Sequence, residues 1–127
     1  GLGSAQKIFS SLQKRDVVMW TSMINGLAMH GDGNEALSMF QTMQEDSFLV
    51  PDHITYIGVL VACSHVGLVE EAKKHFRLMG EMYGMVPGRE YYGCMVDLLS
   101  RAGHFREAER LMETMAIQPN IAIWVLF

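Results

Sequence analysis

The fold of this chain is decided by residues 53–88, which read HITYIGVLVACSHVGLVEEAKKHFRLMGEMYGMVPG. Apolar side chains in this stretch fall at helical spacing in two stripes, first Tyr56, Val59, Leu60 and Cys63, then Ala72, Phe76 and Met79. Gly67 stands between the stripes and suits the left-handed backbone that ends a helix, while Pro87 follows the second stripe as a helix breaker. The stretch therefore predicts two helices folded back on each other as a hairpin.

The same markers recur along the whole chain at spacings of 31 to 36 residues. The repeating positions are Ala5, Ala36, Ala72 and Ala108; Phe9, Phe40, Phe76 and Met112; Gly31, Gly67 and Gly103; and Trp20, Tyr56, Tyr92 and Trp124. Because a single helical hairpin cannot bury both of its faces, neighbouring hairpins are expected to stack on one another. The sequence therefore predicts an all-α solenoid of antiparallel helical hairpins.

Composition excludes several classes of protein. The 127 residues include 10 Lys and Arg against 14 Asp and Glu, a formal charge of −4 that argues against nucleic-acid binding through a strong, uniform positive field. Cys63 and Cys94 form neither a disulfide framework nor a zinc ribbon, so we expect reduced thiols, no metal site and no cofactor. The longest apolar run, from Ile57 to Cys63, is too short to cross a membrane. The missing initiator Met predicts a segment of a longer protein.

Three motifs carry a resemblance to a known family: VVMWT at residues 17–21, ACSHVGLV at 62–69 and YGCMVDLLSRAG at 92–103. They are similar to the P-type, L-type and S-type units of plant pentatricopeptide repeat proteins of the PLS subfamily. The resemblance divides the chain into a partial S-type unit (1–16), a P-type unit (17–52), an L-type unit (53–88), an S-type unit (89–120) and the start of an E-type extension (121–127). The P-type unit carries one extra residue near Pro51.

The resemblance implies a right-handed superhelix that binds single-stranded organellar RNA, with one base read per repeat by two or three side chains. In the family, one reader follows the aromatic residue of the first helix and the other is the last residue of the unit. The pairs at these positions are Thr21 with Asp52, Ile57 with Gly88, and Gly93 with Asn120, while Asp16 and Val125 are halves of pairs cut by the chain ends. Gly93 offers no side-chain group, so base reading by the pair of Gly93 and Asn120 depends on Asn120 alone.

Only one of these pairs makes a complete base pocket. A helix turns about 100° per residue, so we expect Thr21 to leave the core face and point into the groove. A carboxylate only accepts hydrogen bonds, so Asp52 selects guanine or uracil, and the family's pairing of Thr with Asp favours guanine. By the same resemblance Val18 and Ile54 sandwich the base, and Arg101 contacts phosphate.

The same residues also have structural interpretations. Thr21 and Asp52 could be a surface threonine and a helix N-cap. The recurring aromatic residues lie in phase with the apolar stripes, so we expect them to pack in the core instead of stacking on bases. Most of the 11 methionines also fall on these stripes and are expected to fill the core.

No catalytic constellation is found in the sequence, which lacks the His-x-Glu and Pro-Cys-x-x-Cys signature of zinc deaminases, so the chain is not expected to be an enzyme. Its order of units resembles that of site-recognition factors for C-to-U RNA editing in mitochondria or chloroplasts, with editing cofactor proteins docking at the L-type unit. RNA splicing or stabilisation, and a scaffold that binds proteins, are the alternatives. Self-association through apolar faces at the two cut ends is also expected.

Overall fold

A computed structural model describes residues 2–47 and 49–117 of the chain. The described part is entirely helical and contains no strand. Its helices are α1 (Leu2–Met29), α2 (Gly33–Asp46), α3 (His53–Val66), α4 (Val69–Tyr83), α5 (Arg89–Arg101) and α6 (Phe105–Ile117). The predicted all-α fold of stacked helical hairpins is thus confirmed.

Glycine turns separate the two helices of each hairpin, as the sequence predicts. Gly31, Gly67 and Gly103 all have left-handed backbone, with φ between 81° and 84°, a conformation that glycine adopts without steric cost. At the end of α3 the amides of Gly67 and Leu68 donate to the carbonyl of Cys63, at 2.8 and 3.0 Å. Because the carbonyls at the end of a helix lack partners within it, these bonds close the helix before α4 begins.

The first unit boundary, between Asp16 and Val17, falls inside a helix. Helix α1 runs without interruption from Leu2 to Met29. The physical reason lies in residues 13–16, where Gln, Lys and Arg favour a helix and neither Gly nor Pro breaks it. In contrast, Pro51 and Pro87 precede α3 and α5, which begin at the first residues of the predicted L-type and S-type units.

The helices form two layers around a continuous core. The helices α1, α3 and α5 pack side by side, and α2, α4 and α6 cover them from one side. Tyr56 of α3 lies at the centre, with its ring edge-on to that of Phe40 at a centroid distance of 5.3 Å. Phe76 and Met79 of α4 are also fully buried, as predicted from their place in the second stripe. On the outer layer, Lys73 Nζ lies 2.6 Å from Glu107 Oε2 and joins α4 to α6.

Burial follows the repeat in the middle of the stack but not at its ends. Tyr56 and Tyr92 are buried as predicted, whereas Trp20 is only half-buried and packs against the core from outside. Phe9, at the position equivalent to the buried Phe40, is 63% exposed because no described helix lies against the first half of α1 in the way that α3 lies against α2.

The expectation that most methionines fill the core is only partly met. Three methionines, Met43, Met79 and Met95, are fully buried. Five others are exposed: Met19, Met23, Met29, Met82 and Met112. Met112 lies on the predicted stripe and is exposed because α6 is the last described helix, so nothing described packs on its outer face. The predictions for Trp124 and the E-type extension fall outside the described residues.

Candidate nucleic-acid interface

Thr21 and Asp52 are brought together, and a third residue joins them. The hydroxyl Oγ1 of Thr21 on α1 lies 2.6 Å from Oγ1 of Thr55 on α3. The hydroxyl of Thr55 in turn donates to Oδ1 of Asp52 at 2.9 Å. Two consecutive hydrogen bonds thus link Thr21 to Asp52 through Thr55, although Thr21 is distant from the other two residues in sequence.

Asp52 is also the N-cap of α3. Its Oδ1 accepts the backbone N–H of Thr55 at 3.0 Å, and its own backbone N–H donates to Thr55 Oγ1 at 3.2 Å. These reciprocal bonds form a capping box, which satisfies amides that the first turn of a helix leaves without partners. The N-cap interpretation of Asp52 is therefore correct, and the cap fixes Oδ1 while no hydrogen bond within the described residues occupies Oδ2.

Thr21 lies deeper than expected. Only 6% of the residue is exposed, because α1 and α3 pack closely and its hydroxyl is hydrogen-bonded to that of Thr55. The reason is the inter-helix contact, which a helical wheel drawn for α1 alone cannot include. The half-buried Asp52 is therefore the more accessible member of the predicted pair.

A cleft of about 630 Å³ opens beside Asp52. Its lining residues are Ser10, Gln13, Lys14, Val17, Val18, Leu49, Val50 and Asp52. Apolar walls with a few polar side chains are typical of ligand-binding clefts. Val18 and Ile54, predicted to sandwich a base, are 60% and 57% exposed and so have apolar surface available for stacking.

The other predicted pockets are poorer. Ile57 is half-buried against the core and Gly88 is the exposed N-cap of α5, so neither presents a hydrogen-bonding side chain. Gly93 is exposed, with open space where a Cβ would stand. Asp16 lies half-buried within the uninterrupted helix α1. Asn120 and Val125 lie outside the described residues.

Arg101, the predicted phosphate contact, is held by a neighbouring carboxylate. Its Nε lies 3.2 Å from Oδ2 of Asp97, one turn earlier on α5, and the same oxygen accepts the hydroxyl of Ser64 at 3.3 Å. Both charged side chains are exposed, so the pair is open to water and to ions. At the equivalent position of the preceding unit, His65 contacts the carbonyl of Ala28 at the end of α1, with Nδ1 2.7 Å from that oxygen.

The buried ionisable groups near the interface serve packing. The Tyr91 hydroxyl donates to the carbonyl of His53, and burial, reinforced by the charge of Asp52, raises the pKa of Tyr91. Burial likewise raises the pKa of Cys63 to about 12, so its thiol stays protonated at neutral pH. No group of three or more possible metal ligands is found among residues 2–47 and 49–117. In the same part of the chain, no helix is long and apolar enough to span a membrane.

Two residues of this interface were missed by sequence reasoning. Thr55 could have been found from the spacing Asp52-x-x-Thr55 ahead of an apolar run, which is the pattern of a capping box. Asp97 could have been found from its place four residues before Arg101, since such pairs face each other on a helix. The contact of Thr55 with Thr21 has no local signal, because the two residues are 34 positions apart.

Comparison with known proteins assigns the family. The family model described as PPR repeat family matches residues 15–65, and the one described as PPR repeat matches residues 54–83 and 91–116. A pentatricopeptide repeat-containing protein of Arabidopsis thaliana is 59% identical over 121 residues, which are 95% of this chain and 21% of that protein. A second such Arabidopsis protein, whose name carries the word mitochondrial, is 46% identical over 97% of this chain and 16% of its own length.

The chain thus spans about a fifth or less of the length of these relatives. The matches over residues 54–83 and 91–116 coincide with the hairpins α3–α4 and α5–α6, and the match over residues 15–65 runs from the middle of α1 through α2 and α3. On the strength of these matches and of its stacked helical hairpins, the chain belongs to the pentatricopeptide repeat family.

Proposed function

We propose that this chain is a sequence-specific, single-stranded RNA-binding segment of an organellar RNA-processing factor. Proteins of the family generally bind RNA in organelles. The observation that carries the proposal is the position of Asp52, which lines a cleft together with Val18 and whose Oδ2 takes part in no hydrogen bond among the described residues. Such a site has a hydrogen-bond acceptor for a base edge and apolar surface for a base face, which are the two contacts used to read unstacked RNA bases.

The preferred base follows from the polarity of Asp52. A carboxylate oxygen accepts hydrogen bonds and cannot donate them, so the base must offer an N–H where it meets Oδ2. Guanine and uracil have a ring N–H on this edge, whereas adenine and cytosine have a ring nitrogen acceptor there. With the family's preference for guanine at a Thr and Asp pair, we assign guanine to this repeat.

Within organellar RNA processing, we assign the chain to site recognition for C-to-U editing. The support is the resemblance of its units to alternating P, L and S types that lead into an E-type extension. Pentatricopeptide repeat proteins are typically not enzymes, so the deamination itself belongs to another domain or to a recruited partner. Docking of editing cofactor proteins at residues 53–88 is part of this proposal. A mitochondrial or chloroplast location is also part of it, and two relatives carry the word mitochondrial in their names.

The proposal is tested by measuring RNA binding to the full-length protein at several salt concentrations. Affinity for a single-stranded target should fall as salt rises, because phosphate contacts release counterions. Arg101→Ala should weaken binding to all RNAs alike and reduce the salt dependence, since a phosphate contact carries no direct sequence information. Asp97→Asn is the matched variant: it removes the carboxylate that holds Arg101 and should strengthen binding to all RNAs. A protein whose affinity for RNA is negligible at low salt would contradict the proposal.

The assignment to editing needs its own experiment. In a plant that lacks the full-length protein, C-to-U conversion should be lost at one or a few organellar sites while splicing and transcript levels stay unchanged. Normal editing together with a splicing or stability defect would place the protein in another branch of RNA processing.

A protein-binding scaffold is the competing function, and one observation favours it. The outer layer has an open groove of about 670 Å³ between α2 and α4, whose apolar walls include Leu37, Leu78 and Met82. Stacked helical hairpins bind peptides in such grooves as readily as they bind RNA. Substitution of Leu78 by Glu separates the two functions, because it should leave RNA binding unchanged and abolish binding of a protein that uses this groove.

A further inference from the structure

We infer that Thr55 is a positioning residue for base selection: its hydroxyl donates to Asp52 and accepts the proton of Thr21, so that Thr21, like the carboxylate of Asp52, has no proton left to donate to a base. The inference rests on the proposed function and adds a third determinant to the pair of readers. Thr55 is itself fully buried, so it acts on the base only through these two neighbours.

The hydroxyl of Thr55 has a single proton, so it can donate to only one of its neighbours. Oγ1 of Thr55 lies 2.9 Å from Oδ1 of Asp52, and a carboxylate oxygen can only accept. The proton of Thr55 is therefore committed to Asp52. The backbone N–H of Asp52 also donates to Thr55 Oγ1, which agrees with an oxygen that acts as an acceptor toward its other neighbours.

The second step follows at Thr21. Its Oγ1 is 2.6 Å from Oγ1 of Thr55, so one of the two hydroxyls must donate to the other. Because the proton of Thr55 points at Asp52, Thr21 is the donor. The hydroxyl of Thr21 then has only lone pairs left for any further contact.

The consequence is that the two readers, Thr21 and Asp52, offer a base acceptors alone. Oδ2 of Asp52 and the remaining lone pairs of Thr21 both repel an acceptor atom on a ligand. A base with an N–H on its pairing edge fits this polarity, and guanine carries two neighbouring donors, a ring N–H and an amino group. Adenine brings its ring nitrogen acceptor to the same place and is rejected.

Removal of the Thr55 hydroxyl should undo this selection without removing either reader. In Thr55→Val the shape of the buried side chain is kept, and the backbone N–H of residue 55 still caps Asp52 Oδ1. Thr21 loses its acceptor, so its proton becomes free to rotate toward a base. The site then tolerates an acceptor on the base edge, and adenine gains relative to guanine.

The experiment compares RNA affinities of the full-length protein for four oligonucleotides that differ only in the base opposite this repeat. Thr55→Val should reduce the ratio of guanine to adenine affinity by roughly tenfold, which is the size of a typical base contact. Thr55→Ser restores the hydroxyl and should retain the ratio. Thr42→Val is the matched control, because Thr42 is an exposed helix threonine whose hydroxyl donates to the carbonyl of Ser38 on the same helix. The ratio of guanine to adenine affinity of the Thr42→Val protein should equal that of the natural protein.

A double substitution tests whether Thr55 acts on base selection through Thr21. In a Thr21→Val background there is no proton to release, so adding Thr55→Val should change the guanine to adenine ratio less than about twofold. If Thr55→Val does not fold, Thr55→Ala also lacks the hydroxyl and carries the same expectation.

The inference is overturned if the natural protein prefers guanine and the Thr55→Val protein keeps the same preference. It is equally overturned if Thr55→Val weakens all four RNAs alike, since that is the mark of a purely structural residue, or if Thr55→Ser behaves as Thr55→Val does. A natural protein that binds RNA and treats all four bases equally contradicts base reading at Asp52, and the inference then fails together with that proposal.

Discussion

At the scale of single residues, close approach between helices fixes side chains that look unremarkable in the sequence. Gly33, the first residue of α2, packs against the end of α3, where an added Cβ would lie 2.7 Å from the carbonyl oxygen of Ala62 and 2.4 Å from a methyl carbon of Val66. The valine side chain can rotate away, but the backbone oxygen of Ala62 cannot move without shifting α3. Glycine is therefore required at residue 33 by its small size.

This contact gives a matched pair of substitutions. Gly33→Ala should destabilise the protein by about 1–3 kcal/mol through overpacking. Gly26→Ala, in the interior of α1 with nothing within 4 Å of the new Cβ, should be neutral or stabilising by up to about 1 kcal/mol. Urea denaturation measures both changes, and equal effects of the two substitutions would show that α2 and α3 are not this close.

The readers illustrate how far sequence reasoning reaches at this scale. The pairing of Thr21 with Asp52 was predicted from their register in the repeat, and the two residues do lie on one hydrogen-bonded chain. That Thr21 is buried and that Thr55 lies between them could not be predicted, because both depend on how closely α1 approaches α3. The repeat pattern places a residue on a face of its helix but does not give the distance to the next helix.

At the scale of helices, the hairpins were predictable because each carries local signals. The apolar stripes, the left-handed glycines and the prolines all act within one unit, so α3 and α5 begin where the sequence places them. The unit boundary after Asp16 has no local helix breaker, and α1 continues through it. The ion pair between Lys73 and Glu107 was also missed, since it joins neighbouring units and not residues of one helix.

The burial of α4 gives a prediction for its stability. Met79 is fully buried in the core, so Met79→Ala should destabilise the protein by about 2–5 kcal/mol. Met82 lies three residues later on the same helix and is exposed, so Met82→Ala should change stability by less than about 0.5 kcal/mol. Urea denaturation of the two variants would show a similar effect at both positions if the inner face of α4 had been assigned wrongly.

The contact between α4 and α6 should make stability depend on pH. The hydrogen bond from Lys73, helped by His104, lowers the pKa of Glu107 below its ordinary value near 4.5, although partial burial opposes the shift. A lowered pKa in the folded state means that this contribution is complete above pH 4.5 and is lost as the pH falls through the folded pKa.

Glu107→Gln should therefore flatten the fall in unfolding free energy below pH 4.5, because the variant has no carboxyl group to protonate there. Glu109→Gln, on the exposed face of the same helix, is the control and should leave the profile unchanged. Denaturation at a series of pH values gives both profiles. Identical profiles for the natural protein and Glu107→Gln would contradict a stabilising ion pair between α4 and α6.

At the scale of the whole molecule, the stack buries its middle and exposes apolar residues at both ends. Phe9 on α1 is 63% exposed and Phe105 on α6 is 69% exposed. Apolar faces of this kind are covered by neighbouring repeats in a longer solenoid.

The 127-residue chain by itself should therefore self-associate as its concentration rises. Sedimentation velocity across a concentration series measures this. Phe9→Glu should weaken the association, whereas Met82→Glu, at an exposed position on α4 of the middle hairpin, should not. A chain that stays monomeric throughout would show that these end faces are stable in water.

Whether Asp52 reads a base is decided by the base preference of Asp52→Asn in the full-length protein. The asparagine can keep its Oδ1 on the hydroxyl and backbone N–H of Thr55, while its amide nitrogen replaces the free Oδ2 with a donor. The preferred base opposite this repeat should then move from guanine toward adenine, by about 1–3 kcal/mol in relative binding free energy. If Asp52→Asn instead lowers affinity for all four bases equally, or leaves the preference unchanged, Asp52 is only the N-cap of α3 and does not read RNA.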